Sequence, residues 1–303
     1  MTSLQFQKFM RNVECTPCEN PQRIGHAALR KLQNARVADD VRPCADVDVR
    51  AGEIDGVPVE WLTPEGAPDA PVMLYIHGGG WSLGSLKTTR MFLAPMAKRL
   101  GIRTLSVGYR LMPENPFPAG LDDCFAVYLG LLEQDILPGQ IFLAGESAGA
   151  NIALALALRL RDRGYALPAK IAVMSPVTFV DTLEGSHTRL IPLEKILPED
   201  SFVVTVAAAQ YAPGWDLKTP YISPLYADLT GLPPTFVSVG TDEILFDDAI
   251  RFYQKARLCG VDAELLVGDR MPHSWPIFLN DFPEAGEAID RIGAFFRQTS
   301  RNV

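Results

Sequence analysis

The stretch Ile141–Arg163, IFLAGESAGANIALALALRLRDR, constrains the fold of this 303-residue chain more than any other. It opens as a short apolar run, IFLA, with the length and composition of a buried strand. It then passes through Gly145-Glu146-Ser147-Ala148-Gly149 into an Ala/Leu-rich segment with a strong helix pattern. A strand that reverses at once into a helix must turn sharply. A G-x-S-x-G in that context sets the serine on a strained bend with its hydroxyl presented for reaction. Gly145 and Gly149 leave out the side chains that would collide there. The start of the helix adds positive dipole density beside Ser147. Without a partner base, the same pattern is only a glycine-rich turn with an idle serine.

The rest of the chain supplies the context. From residue 72 onward, buried-strand patterns alternate with helical ones. Val72–Ile76, Arg103–Val107, Ile141–Ala144, Lys170–Met174, Thr235–Val239 and Ala263–Val267 read as strands. Thr88–Leu100, Ala119–Glu133, Phe246–Leu258 and Glu284–Arg297 read as helices. This alternation predicts an α/β fold with a mostly parallel central sheet covered by helices on both faces. Before it, Ala45–Arg50 and Val57–Leu62 form a hairpin pattern around Asp55-Gly56, expected as antiparallel strands at the sheet edge. Residues 1–45 carry helical patterns only. Phe6, Phe9, Met10 and Val13 fall on one helix face. Thr178–Tyr226 lies between two core strands and is too long for an ordinary connection. The expected organisation is an N-terminal segment 1–45, a core of 46–177 and 227–303, and an insertion 178–226.

Charge and cysteines exclude several classes. With 28 basic and 36 acidic residues the net charge is −8, which argues against a nucleic-acid partner. The N-terminus lacks an apolar core of signal-peptide length, and Ile152–Leu158 is too short to cross a membrane, so a cytoplasmic protein is expected. Five cysteines at irregular spacing do not form a disulfide framework. Cys15-Thr-Pro-Cys18 lacks the second ligand pair of a zinc site and the flanking strand and helix of a redox motif. Both are expected as free thiols.

A serine hydroxyl needs a base, and the base an orienting acid. Of four histidines, His26 precedes the strands, His77 opens a glycine run, and His187 lies in the insertion. His273, in RMPHSW after the last strand, fits the order nucleophile, acid, histidine. The acid is expected just after Thr235–Val239, and Asp242 is the first carboxylate out of that strand. Glu243 and Asp247 are its rivals, and either could instead cap the helix from Phe246. His77-Gly78-Gly79-Gly80-Trp81 directly follows a strand. Its backbone, with the N–H of Ala148, is suited to receive a developing oxyanion. A dinucleotide loop would need a different glycine spacing followed by a helix.

These pieces together resemble the hormone-sensitive-lipase family of α/β-hydrolase carboxylesterases (bacterial esterase family IV). The resemblance rests on His77–Trp81, on Tyr109-Arg110-Leu111-Met112-Pro113-Glu114, on Pro116-Phe117-Pro118-Ala119, on Gly145–Gly149 with Asn151, on Asp242 and on His273. It implies a triad of Ser147, Asp242 and His273, an oxyanion hole from Gly78, Gly79, Gly80 and Ala148, and a cap from residues 1–45 with the insertion. The chain departs from the family in Glu146, Ala150 and Asp242-Glu243, where Asp, Gly and Asp-Pro are common. Tyr109, Arg110 and Glu114 read as scaffolding around the glycine run.

The expected activity is serine carboxylester hydrolysis through an acyl-enzyme, on uncharged esters of short to medium chain, with no metal and no cofactor. An amidase or formamidase with the same triad is the enzymatic rival. A small-molecule receptor on this fold is the other, which the presence of His273 disfavours. Trp81, Phe202 and Trp215 are expected to line the pocket. The N-terminal apolar face is expected to pack on the insertion. The expected partner is a small-molecule ester, with neither nucleic acid nor membrane, and the sequence leaves a homodimer open.

Overall fold

The computed structural model describes residues 2–14, 21–37, 44–69, 71–197 and 207–298. Cys15, Cys18 and Phe202, singled out above, lie outside them. The strands are β1 (Val47–Ile54), β2 (Val57–Pro64), β3 (Val72–Ile76), β4 (Arg103–Val107), β5 (Ile141–Glu146), β6 (Lys170–Met174), β7 (Thr235–Gly240) and β8 (Ala263–Gly268). They form one sheet in the order β1-β2-β4-β3-β5-β6-β7-β8. β1 and β2 close a hairpin in which Ile54 faces Val57, and β2 runs antiparallel to β4. Asp55 and Gly56 both have positive φ (48° and 77°), the backbone a two-residue hairpin turn requires. From β4 to β8 all neighbours are parallel.

Parallel strands are joined by crossovers, which cover both faces of the sheet. The helices are α1 (Leu4–Glu14), α2 (His26–Ala35), α3 (Leu86–Leu100), α4 (Ala119–Glu133), α5 (Ser147–Asp162), α6 (Phe246–Leu258) and α7 (Pro283–Arg297). The two-residue period of the strands sorts their side chains between the layers. Leu74 of β3 and Leu143 of β5 pack with Tyr128 of α4, Ile152 and Leu156 of α5 and Phe252 of α6. Their chain neighbours Met73 and Phe142 pack on the other face with Leu93 and Met96 of α3 and Ile289 and Phe296 of α7. α3 starts with a capping box between Ser85 and Thr88 and stops at Gly101, whose φ of 64° closes the last turn.

The insertion is pinned at its root by the Leu225 N–H donating to the Thr178 carbonyl at 2.9 Å. A buried pair, His187 Nε2 with Asp248 Oδ2 at 2.5 Å, ties it to α6. Asp248 also accepts the N–H of Thr178 at 2.8 Å. His187 thus serves the insertion, as its place in the sequence suggested.

The N-terminal helix differs from expectation. Among the described residues, the apolar face of α1 packs on the segment 271–288 and not on the insertion. Phe6 and Phe9 meet the Phe282 ring at 5.1 Å, and Phe9 meets Phe278 at 4.7 Å. Ser3 donates its N–H and hydroxyl to the Glu284 carboxylate at 2.5 and 2.8 Å. The physical reason is the aromatic ledge of Phe278 and Phe282, which sits where α7 begins and offers α1 an apolar partner. Met271 and Trp275 join the same cluster, so α1 supports the loop that carries His273. α2 reaches the other side of the molecule, where Arg30 pairs with Glu114 at 2.5 Å and Asn34 accepts from Ser85 Oγ at 2.6 Å. Phe6→Ala should therefore lower unfolding stability by about 3 kcal/mol, the usual range for a buried phenylalanine, as read from denaturant titration.

Candidate active site

The bend at the end of β5 forms as the glycines require. Ser147 has φ of 54°, left-handed backbone that a serine adopts only when its surroundings enforce it. They do so here by close packing. A Cβ on Gly149 would lie 2.1 Å from the Ile76 carbonyl oxygen, and one on Gly145 would lie 2.7 Å from the same atom. The elbow is thus pressed against the end of β3. Ser147 is 8% exposed at the head of α5, with Ala148 following it in the first turn.

His273 leaves the loop after β8, and its acidic partner is Glu243. Glu243 Oε2 lies 2.9 Å from His273 Nδ1. Glu243 Oε1 accepts the Gly240 N–H at 2.5 Å and the Ser175 hydroxyl at 2.8 Å. Both residues are buried. Asp242 does not reach the histidine. Its carboxylate accepts the Thr241 hydroxyl at 3.0 Å, and its N–H donates to the Met271 carbonyl at 3.2 Å. The expectation that Asp242 pairs with His273 is corrected by one residue. The cause is the tightness of the turn: a Cβ on Gly240 would lie 1.9 Å from the Met271 carbonyl oxygen. The chain therefore folds back at Thr241-Asp242, and Glu243 is the carboxylate that returns over the strand end. Asp247, the third rival, instead accepts the Ser186 N–H at 2.8 Å.

Burial works against a charged His273, but the hydrogen bond and charge of Glu243 outweigh it and hold the imidazole above its ordinary pKa. Burial pushes Glu243 up, and His273 pulls it part of the way back. Nδ1 is thereby fixed toward the carboxylate, which makes Nε2 the nitrogen for proton transfer. Nε2 lies 3.2 Å from Ser274 Oγ. Ser147, Glu243 and His273 all stand at the carboxyl ends of parallel strands, where sites in open α/β sheets gather.

The glycine run follows β3. Gly79 and Gly80 have φ of 109° and 58°. The carbonyl of Gly79 accepts from Leu83 N–H at 2.9 Å, closing a tight turn. Gly78 departs from expectation as an oxyanion donor. Its N–H donates to Glu146 Oε1 at 2.6 Å, so it is already engaged. The N–H groups left to serve an oxyanion are those of Gly79, Gly80 and Ala148. The scaffolding expected around the run is present. The Tyr109 hydroxyl donates to the His77 carbonyl at 2.7 Å, and its ring stacks on His77. Arg110 pairs with Asp123 at 2.7 Å. Burial lowers His77 to about 4, so its imidazole stays neutral at working pH.

Trp81 is buried and stacks on Tyr211 of the insertion at 4.2 Å. Phe117 donates its N–H to the Tyr211 carbonyl at 2.6 Å and meets the Trp215 ring edge-on at 5.0 Å. Trp215 is 49% exposed, at the rim of this aromatic group. Sequence reasoning missed Tyr211, whose only signal was its place in the insertion, and Ser175, whose only signal was a serine directly after a strand. Among the described residues, no group of three or more His, Cys, Asp or Glu could hold a metal ion. No described helix is long and apolar enough to cross a membrane.

A buried carboxylate–imidazole pair, a serine on a helix-heading bend and free loop N–H groups make a set suited to acyl transfer. Comparison with known proteins agrees. A family model described as alpha/beta hydrolase fold matches residues 73–277. An acetyl-hydrolase of Streptomyces hygroscopicus is 38% identical over 238 residues, covering 78% of this chain and 79% of that protein. The crystal structure of an esterase from the bacterial hormone-sensitive lipase family superposes with a TM-score of 0.88 at 37% identity, covering 98% of each chain. That of the esterase EstE5, soaked with p-nitrophenyl butyrate, gives 0.90 at 32% identity, covering 97% of this chain and 98% of that one. Within the triad, the chain departs from its sequence-based reading in which carboxylate meets His273. Glu243→Gln should therefore lower the pKa of His273, while Asp242→Asn should leave it in place, as followed by NMR titration of the imidazole.

Proposed function

The chain belongs to the hormone-sensitive-lipase family of α/β-hydrolase carboxylesterases and hydrolyses carboxylic esters, and we propose that it does so through a triad of Ser147, His273 and Glu243. The carrying observation is the buried contact between Glu243 and His273 Nδ1 at 2.9 Å. His273 Nε2 takes the proton from Ser147 as its oxygen attacks the ester carbonyl. Glu243 holds the imidazole tautomer and opposes the imidazolium charge. The N–H groups of Ala148, Gly79 and Gly80 receive the oxyanion. His273 returns its proton to the departing alcohol, leaving an acyl-Ser147. Water then attacks the acyl carbon, giving its proton to His273; the bond to the Ser147 oxygen breaks, His273 returns the proton to that oxygen, and the acid leaves.

The substrates proposed are uncharged esters of short to medium chain. Supporting this is the aromatic group of Trp81, Phe117, Tyr211 and Trp215. The relative named as an acetyl-hydrolase and the neighbour soaked with a butyrate ester point the same way. The insertion, with residues 1–45 contributing α2 beside Ser85 and Glu114, is proposed as the cap. Hydrolysis of nitrophenyl esters from acetate upward, beside a matched anilide, tests the class. Anilide turnover comparable with that of the ester would make the enzyme an amidase.

Ser147→Ala should abolish turnover with the fold intact by circular dichroism. Glu243→Gln should reduce kcat by roughly 10³- to 10⁴-fold, the loss that follows when a triad carboxylate becomes an amide. Asp242→Asn should change it little. A crippled Asp242→Asn beside an active Glu243→Gln would reverse the assignment of the acid. The pH profile follows from the raised His273 pKa. Only the neutral imidazole acts as base, so kcat/KM should rise with pH through a midpoint above about 6.5, the ordinary histidine value. A profile flat from pH 5 to 8 would rule out a histidine base.

A further inference from the structure

Glu146 stands directly before Ser147, and the triad leaves it without a task. Its side chain is buried and turns back under the glycine run. Oε1 accepts the Gly78 N–H at 2.6 Å, and Oε2 accepts the Tyr75 hydroxyl. Gly78 sits so close that a Cβ there would lie 2.8 Å from the Glu146 carbonyl oxygen and 3.1 Å from Ser147 Cβ. One side chain thus joins the start of the glycine run to the residue that introduces the nucleophile. The titratable groups around it come from several elements: Tyr75 of β3, Tyr109 after β4 and His273 after β8. Burial is the first cause holding both tyrosines well above their ordinary range, so both are neutral. His77, next to Gly78, is neutral as well. A carboxylate at Glu146 adds a small upward pull on His273, behind the larger one from Glu243.

We propose that Glu146 is a positioning residue for ester hydrolysis: its carboxylate fixes the oxyanion-binding glycine run through Gly78. The proposal rests on the assignment of Ser147 and His273 given above. The working form is the carboxylate, because protonation removes both its charge and part of its capacity to accept the Gly78 and Tyr75 hydrogen bonds. Burial raises Glu146 to about 7, against the pull of those two bonds, so the residue changes state near neutral pH. Its folded pKa lies above the unfolded value of about 4.3. The folded chain therefore binds the extra proton between those limits, and its stability falls as pH rises through that window.

The test compares wild type, Glu146→Gln and Tyr75→Phe in nitrophenyl ester hydrolysis from pH 5 to 9, with thermal unfolding at pH 4 and 8. In the wild type, kcat/KM should fall below neutral with a slope approaching two, because His273 and Glu146 both leave their working forms. Glu146→Gln should reduce that slope to one. At pH 8 it should lower kcat by about 10- to 100-fold, the scale of a small misplacement in the site, with KM little changed. Its unfolding temperature should exceed the wild type's at pH 8 and not at pH 4. Tyr75→Phe, which takes one hydrogen bond from the carboxylate, should move the acid limb to higher pH. Wild-type slope and rate in Glu146→Gln would overturn the proposal. Should that variant fail to fold, an unmoved acid limb in Tyr75→Phe would overturn it alone. Ser147→Ala separates the two levels: turnover surviving there defeats the triad, whatever Glu146 does.

Discussion

The contact on which the site depends is the one between the end of β3 and the bend after β5. The strands are parallel neighbours, paired from Val72 with Ile141 to Ile76 with Gly145. Both chains then leave the sheet at the same edge, one into the glycine run and one into α5. They can do so side by side only because Gly145 and Gly149 present bare backbone to the Ile76 and His77 carbonyls. The nucleophile and the N–H groups beside it are therefore placed by one packing event. A side chain at either glycine would separate them, because the atoms it would meet are backbone that cannot swing aside.

Around that contact the protein buries charge, which is unfavourable unless each group is paired and hydrogen-bonded. Glu243 meets that condition with His273, Gly240 and Ser175, and Glu146 with Tyr75 and Gly78. The two carboxylates take different roles because their partners differ. Glu243 faces an imidazole directly and raises its pKa. Glu146 faces neutral donors and is held up by burial. The buried pair of His187 and Asp248 has the same chemistry as His273 and Glu243 but serves to tie the insertion to α6. A histidine–carboxylate pair is thus no evidence of catalysis in itself. The strained serine and the open N–H groups beside His273 make the difference.

Much of the fold was legible because its signals are local. The alternation of apolar strands with helices, Asp55-Gly56 and the G-x-S-x-G bend each declare a conformation within a few residues. The strand ends extended one or two residues beyond the apolar runs, to Glu146, Gly240 and Gly268, since backbone pairing continues where hydrophobicity stops. Ser147 and His273 were legible from order along the chain. The choice between Asp242 and Glu243 was not, because it depends on the Met271 carbonyl, which closes on Gly240 from a loop distant in sequence. The seat of α1 was hidden for a similar reason. Its apolar face announces that it must pack, but only the folded C-terminal segment reveals Phe278 and Phe282 as the surface available.

The strain at this end of the sheet gives the arrangement its rigidity. Ser147, Ser175 and Ser274 all have left-handed backbone, with φ of 54°, 46° and 55°. Each such residue costs on the order of 1 kcal/mol or more and persists only if its neighbours determine it. These neighbours are largely one another. The Ser175 N–H donates to the Ser238 carbonyl at 2.7 Å, its hydroxyl donates to Glu243, and that same hydroxyl accepts the Ser274 N–H at 2.9 Å. Ser274 in turn sets the backbone on the far side of His273. The imidazole is therefore held by its carboxylate and by the strained turn behind it, and both holds converge on Ser175. A side chain at the end of β6, outside the triad, is the point through which the acid and the loop of the base are kept in register.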